Sequence, residues 1–457
     1  MKNEIYCVEI IIEEDSFKDS INRFHSHLEI NNNEILLLIY NVPNNPRFKH
    51  VFHDFLKKIH YRNLGKYISI IDKNSFIENR IQKIEITSSN CIGFTSQMDS
   101  SNQDMIKLSL DEVFMYKSPS EEHIGKSAFY INDAGFDIIS DNYTQLWSKN
   151  NDSFTYKKMK DIEPFHEIGN IRFTPKFNFQ IKDSKREKES IIIKKPYFEL
   201  IHDENISEIE ILNTIKLINL ISTFYSKNPI EFYNGYIFLK EYQIKIYKAI
   251  ENRLTENKGT LFPVVRINNL DKLFSRIQIK KIDFSQLNKI EIMIQKFWQT
   301  NLVDIRSSIL LNFAILEIAK DSNNGTEQFE IKDTSHKNDV IADFKEKILS
   351  LIDEKEKIIF EKKFEFIIPK LFIKPLKSPL EDYLTSIGLV VDDFYPKFKT
   401  IKNVRDSITH GSISTHSLDK LESVNAMLYR ISICIILDYL KIENWKEIVD
   451  ITNEKKR

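Results

Sequence analysis

Glycine and proline are scarce in this chain, 10 and 12 in 457 residues, and so few breakers argue for long regular elements over a loop-rich scaffold. Cysteine is scarcer still. Cys7, Cys91 and Cys434 are odd in number and far apart, with no Cys-x-x-Cys pair and no Cys/His metal spacing. Neither a disulfide framework nor a zinc site is indicated. An excess of one charge is also missing: 65 basic against 66 acidic side chains leave a net charge of -1. A non-specific nucleic-acid coat or a polybasic membrane binder would carry a clear surplus, so any RNA contact must come from a local patch. The lysine-rich runs Lys157-Lys-Met-Lys-Asp161 and Lys182-Asp-Ser-Lys-Arg-Glu-Lys188 also hold acids and read as solvated surface. No apolar run approaches the ~18–20 residues of a membrane span. The first residues show no basic segment, apolar stretch and small-residue cleavage site in succession. A reduced, soluble, cytoplasmic protein with no membrane partner is expected.

Hydrophobic residues at 42% and aromatics at 12% are enough to build sizeable cores, and the length points to two or three domains. The first two hundred residues read mostly as strands: Ile5–Ile12, Ile35–Tyr40, Tyr67–Ile71, Ile81–Thr87 and Ser127–Ile131 are β-branched or aromatic runs between polar breaks. His53–Ile59 reads as a short helix among them, and Asn150–Phe154 and Asp183–Ser190 as polar connectors. Alternation in Phe173–Phe179 favours a strand facing a core over a base-stacking surface.

The pattern changes near residue 206. Ser207-Glu-Ile-Glu210 has capping-box spacing, and Ile211, Ile215, Ile218 and Ile221 behind it suit a helix ending near Tyr225. Asn234-Gly235 between apolar flanks predicts a two-residue hairpin turn, with Tyr242–Tyr247 a further strand. From about Phe284 the period is helical. Ile290, Met293, Ile294 and Phe297 form one stripe, continued by Ile305, Ile309, Phe313 and Leu316 after a break near Asn301. Residues 321–339 read as a polar loop, and Asp339–Phe366 as one Lys/Glu-rich helical region. Leu380–Ile387 is stopped by Gly388, Phe394–Thr409 has Pro396 in its first turn, and Asp419–Leu440 closes the series. Apolar residues almost all round Ile431–Leu437 make that last helix the centre of a bundle. The expected fold class is α+β, a β-rich N-terminal module (1–205), a helix-plus-hairpin connecting subdomain (206–283) and an all-α helical bundle (284–457).

The most specific chemical suggestion is Arg405-Asp406-Ser407-Ile408-Thr409-His410, followed by Gly411. Histidine moves protons near neutral pH, and arginine holds developing negative charge on a phosphodiester. With 13 arginines and 11 histidines in the chain, roughly one match to Arg-x(4–6)-His is expected by chance. Arg47 and His53 make a second, taken as coincidence. Arg405 differs in context: Phe398, Ile401, Val404 and Ile408 recur at helical spacing, and Gly411 is a natural left-handed stop. A plain helix end also favours cations without any chemistry, and Asp406 equally suits a surface pairing with Lys402. Phosphate-loop, Gly-x-Ser-x-Gly and His-Glu-x-x-His patterns are absent, so no nucleotide, cofactor or metal site is indicated.

With these residues and Leu310-Leu-Asn-Phe-Ala-Ile-Leu-Glu317 upstream, the C-terminal third resembles a HEPN domain of the ApeA-like kind. The order helix, polar loop, helix, motif and closing apolar helix is shared, and the β-rich first half resembles ApeA-type abortive-infection proteins in layout. The Lys/Glu-rich middle stretch is longer than that pattern expects. The resemblance implies a HEPN-type bundle with metal-independent endoribonuclease activity in anti-phage defence. It implies homodimerisation through the bundle, a phage-derived trigger, and RNA substrates such as a tRNA or another structured RNA with an exposed loop. Arg405 and His410 would be catalytic, with Asp406 orienting them. Glu317, Ser407 and Thr409 would be neighbours, the hydroxyls as phosphate donors or as ordinary helix-end groups. The alternative is a catalytically silent module that binds nucleotides, RNA or protein through the same groove.

Overall fold

The computed structural model describes residues 4–12, 23–31, 34–42, 68–72, 81–86, 94–98, 104–119, 121–140, 143–148, 153–158, 165–184, 189–226, 228–249, 270–277, 283–321, 336–371, 377–411 and 416–449. It divides into two compact units. The first comprises residues 1–288 with 440–444, and the second residues 289–439 with 445–457. The fold is α+β, with strands in the N-terminal half and helices in the C-terminal half. Among the described residues no helix is long and apolar enough to cross a membrane.

The first unit is built on strands β1 (Glu4–Ile12), β2 (Arg23–Ile30), β3 (Ile35–Val42), β4 (Ile68–Asp72), β5 (Ile81–Ile86), β6 (Phe94–Met98), β7 (Asp104–Leu110), β8 (Glu112–Lys117) and β9 (Lys126–Ile131). Helix α1 (Ala134–Ser140) follows, then β10 (Tyr143–Ser148), β11 (Ser153–Lys158), β12 (His166–Ile168), β13 (Ile171–Ser184) and β14 (Glu189–Ile201). Helix α2 (Glu208–Ser226), β15 (Phe232–Phe238), β16 (Gln243–Lys248) and the short α3 (Leu270–Phe274) complete it. Fourteen strands form one sheet, in the order β12-β13-β14-β9-β15-β16-β8-β5-β4-β1-β2-β3-β7-β6, and β10-β11 form a separate hairpin.

Alternation gives this sheet its buried faces. At the β1 end Val8, Ile10, Leu28, Leu37, Ile39 and Leu108 are sealed from solvent. Toward β12 the buried face is formed by Phe129, Phe173, Phe198, Leu200, Ile237 and Ile246. Helix α1 packs against β13, β14 and α2 there. In α2, Ile211, Ile215, Ile218, Ile221 and Phe224 are fully buried, the all-round burial of a central helix. Ser207 caps it as the sequence predicts, its Oγ accepting from the Glu210 amide at 3.2 Å. Where β1 and β16 approach each other, the Glu4 carboxylate accepts a bond from Lys245 at 2.9 Å and further bonds from Tyr6 and Tyr247. Burial works against its ionisation, yet those three donors hold it below the usual range.

Three expectations about the first unit need correction. Asn234-Gly235 is not a hairpin turn: both residues lie inside β15, and the chain reverses at Leu239–Tyr242, where the Leu239 amide donates to the Tyr242 carbonyl at 3.0 Å. What Gly235 supplies is room, since the Phe129 ring lies only 2.8 Å from the place a Cβ would take. Asn234 is buried at the register shift between Phe232 and Asn234 opposite β9. Because β15 and β16 sit between β9 and β8, the expected connecting segment belongs to the main sheet. Strands also reach into both expected connectors, with β11 starting at Ser153, β13 running to Ser184 and β14 starting at Glu189. The His53–Ile59 helix and the Arg47/His53 pair lie outside the described residues.

The second unit holds α4 (Leu287–Gln299), whose first two residues fall in the first unit, then α5 (Ile305–Asp321), α6 (Lys337–Leu349), α7 (Lys357–Leu371), α8 (Lys377–Ser386), α9 (Phe398–Thr409), α10 (Leu418–Tyr439) and α11 (Trp445–Ile448). The expected helical region over 339–366 is made of two helices, α6 and α7; no glycine or proline marks the break between them. Pro396 precedes α9 rather than entering it, which agrees with the bias of pre-proline residues away from helix. At the centre, α10 packs on α5, and α9 rests against both. The α10 residues Val424, Leu428, Ile431, Ile435 and Leu437 are buried there with Ile309, Phe313 and Leu316 of α5. A polar seam crosses the same contact: Ser308 Oγ donates to Asn425 Oδ1 at 2.9 Å, and Ser432 Oγ to the carbonyl of fully buried Asn312 at 3.4 Å.

Candidate active site

The site is assembled where α9 runs beside α5. Phe398, Ile401 and Val404 bury one stripe of α9 in the bundle, which fixes the rotation of that helix and points Arg405 along its edge. On α5, Phe313 and Glu317 are four residues apart and so share a face. The Arg405 guanidinium meets both. Its carbon lies 5.0 Å from the Phe313 ring centroid, and Nη2 reaches Glu317 Oε1 at 2.6 Å. Nη1 lies 3.2 Å from Asp406 Oδ1. Two carboxylates on separate helices thus clamp a half-buried arginine, 26% exposed, over an aromatic face. A guanidinium carries five N–H donors, more than these two bonds use.

His410 occupies the C-cap of α9 in a conformation outside the helix (φ -90°, ψ 9°), its amide donating to the Asp406 carbonyl. Gly411 follows at φ 74°, the left-handed stop read from the sequence. The imidazole is exposed and makes no hydrogen bond or ion pair with a described residue. Five residues apart, the two side chains leave the helix axis in directions that differ by ~140°. Arg405 accordingly faces α5 while His410 stands at the helix end.

Ser407 Oγ donates to the Asn403 carbonyl at 2.9 Å and Thr409 Oγ1 to the Arg405 carbonyl at 3.0 Å. Both hydroxyl protons are thereby turned onto their own helix, the ordinary use of such residues within a helix. His416, just before α10, lies 3.4 Å from Lys420 Nζ; burial of the ring, then that positive charge, pulls its pKa below the ordinary value.

The structure therefore joins Arg405, Asp406 and Glu317 and leaves His410 apart from them. Phe313 was not among the expected site residues, although its spacing four before Glu317 carried the signal. No protein-family model, curated protein or solved structure matches the chain.

Proposed function

We propose that the chain is a metal-independent endoribonuclease of HEPN type. The observation that carries this reading is the clamped arginine: Glu317 and Asp406 hold Arg405 partly exposed at the bundle surface, one helical turn and a half from an exposed histidine. In the proposed reaction the RNA 2′-oxygen attacks the adjacent phosphorus and the bond to the 5′-oxygen breaks. A 2′,3′-cyclic phosphate and a 5′-hydroxyl result. Neutral His410 accepts the 2′-hydroxyl proton, and a protonated His410 from a second copy supplies a proton to the leaving oxygen. Arg405 binds the non-bridging oxygens and stabilises the charge that grows on the pentavalent phosphorane. Glu317 is then a positioning residue that pre-sets the guanidinium plane, and Asp406 assists it.

A second copy suits the geometry, because Arg405 and His410 of one chain diverge. The closing helix α10, a natural interface by its apolar sequence, is used up inside its own bundle. Exposed apolar side chains lie instead on α6 and α7: Val340, Phe344, Ile358, Ile359 and Phe366 are each roughly half or more exposed. The defence setting, the phage-derived trigger and a tRNA substrate come from the resemblance, and the cytoplasmic location from the cysteine usage and the first residues of the sequence. An exposed RNA loop fits the chemistry, since a flexible loop can reach in-line geometry.

A silent module that binds RNA, nucleotides or protein is the second reading, and the same ion pair favours it. An arginine committed to two carboxylates also ties α9 to α5 with no substrate in view. The test is incubation of full-length wild-type and His410→Ala protein with total bacterial RNA in EDTA, with and without extract from phage-infected cells. Discrete cuts with cyclic phosphate ends, reduced ~10²–10⁴-fold in the variant, are expected. Cuts of equal intensity in the variant, or none in any condition alongside retained RNA binding, select the silent module.

A further inference from the structure

The sheet carries a second surface that the nuclease reading does not use. Across β13, β14, β9 and β15 one face is sealed, as Phe198, Phe129 and Ile237 show at 0% exposure. The register assigns the opposite face, because residues directly paired in an antiparallel ladder point the same way. Tyr197 pairs with Tyr130, Tyr130 with Asn234, and Tyr236 with Ala128 two residues along. These tyrosines form a partly exposed cluster at the middle of that face. Tyr130 and Tyr197 stack at 5.3 Å between centroids, and Tyr236 meets Tyr130 edge-on at 6.4 Å. Asn178 Nδ2 donates to the Tyr130 hydroxyl at 2.8 Å, which holds that ring in place from β13.

Basic side chains flank the cluster on both sides. Lys195, two residues before Tyr197 on β14, lies on one side. On the other, Arg172, Ile201 and Lys126 form one row across three strands. Arg172 and Ile201 also line an open cleft of about 570 Å³ with Asn170, His202 and Asp203. Of the acids on this side, Glu199 is engaged with Lys176 and Glu4 with Lys245 at 2.9 Å, while Glu167 stands opposite Arg172 in the next strand and Asp203 lines the cleft, against Lys126, Lys176, Lys195, Lys245 and Arg172. The local charge is thus positive on a chain whose net charge is -1.

We infer that this face binds single-stranded RNA, with bases stacked on Tyr130, Tyr197 and Tyr236 and phosphates met by Lys126, Lys195 and Arg172. Aromatic faces between cations suit an unpaired strand, since every base has a stacking surface and every linkage a negative charge. Partly exposed tyrosines also explain what purely apolar packing would not, three hydroxyl-bearing rings gathered on the solvent side of a sheet. The choice of RNA over DNA rests on the ribonuclease reading; the stacking surface does not.

Fluorescence anisotropy with a labelled 12-nucleotide uridine RNA and its deoxy counterpart tests this, using full-length His410→Ala protein to prevent cleavage. Tyr236→Leu should weaken RNA binding about tenfold while keeping an apolar side chain in place. Lys126→Glu and Lys195→Glu, both on the solvent side, should each weaken it and flatten the logarithmic salt dependence by about 0.7 for each phosphate no longer neutralised. Wild-type affinity in both lysine variants, with unchanged melting temperature, overturns the proposal. Tighter binding of DNA overturns the choice of RNA. If wild-type protein cuts RNA while all three variants bind normally, this face fails and the nuclease reading stands. If the variants lose binding and no cleavage occurs in any condition, the face stands and the nuclease reading fails.

Discussion

Removing Glu317 should loosen α9 only when Arg405 is there to feel it. Two unit charges about 4 Å apart gain ~4 kcal/mol at an effective dielectric near 20, before desolvation is subtracted. Glu317 and Arg405 are 30% and 26% exposed, so water and salt still screen them. Exposed pairs couple by about 0.2–1 kcal/mol, whereas hydrogen bonds to charged groups reach about 1.5–3 kcal/mol. A 2.6 Å contact at intermediate exposure falls between those limits. The expected coupling is about 1–1.5 kcal/mol, a change of roughly 5- to 12-fold in a local opening equilibrium. Hydrogen exchange of the α9 amides reads this directly and does not require two-state unfolding of a two-unit chain. Glu317→Ala should speed exchange across Ile401–Ile408 by that factor in wild-type background and by less than about twofold beside Arg405→Ala. Stacking on Phe313 is missing from both arginine-free proteins alike and so cancels from the cycle. Equal acceleration in both backgrounds would show that Glu317 does not act through Arg405 and does not orient the guanidinium.

His410→Ala should leave stability within about 0.5 kcal/mol of wild type, because the side chain is exposed; a larger drop in melting temperature would void any loss of activity as mechanistic proof. Gly235→Ala drives a methyl to 2.8 Å from the Phe129 ring, itself 0% exposed, and should destabilise the protein by about 1–3 kcal/mol in denaturant titration; an unchanged midpoint would contradict that packing. His202, with Nε2 2.8 Å from Ser127 Oγ, has its pKa lowered by burial. A depressed histidine binds its proton more readily when unfolded, so this contribution is whole above the unfolded value of ~6.5 and is lost as pH falls below it. Melting temperatures from pH 7.5 to 5.5 should decline less steeply in His202→Gln than in wild type.

Local order was legible wherever one short-range rule dominated. Ser207 announced α2 because a cap acts over three residues, and Gly411 announced the end of α9 because a left-handed stop concerns one. Asn234-Gly235 misled because the same two residues serve a different need. Inside β15 the glycine makes room for Phe129 from β9, a partner more than a hundred positions away, and nothing within the hairpin records that approach. The break between α6 and α7 left no mark either, since no glycine or proline falls there and both helices carry exposed apolar residues. Sheet order was beyond reach for the same reason: β9 is flanked by β14 and β15, neither of them next to it in the chain.

The candidate site divides along the same line, and the division bears on its chemistry. Arg405 and His410 were found together because they are neighbours in sequence, yet that closeness is what sends them apart on a helix. Glu317, 88 positions from Arg405, is the residue that touches it. Proximity in sequence thus named the proposed reacting groups, while the fold supplied the group that orients one of them. A single chain holds its arginine between two carboxylates and leaves its histidine exposed, each facing a different way. For the proposed reaction, a histidine brought to the arginine by a second copy is the arrangement this divergence favours. Concentration provides the decisive variable: cleavage by the proposed enzyme should rise with the square of protein concentration below the dimer dissociation constant, and linearly above it. Strictly linear dependence down to the lowest concentration at which the protein is monomeric by light scattering would rule out a shared site and require Arg405 and His410 of one chain to suffice.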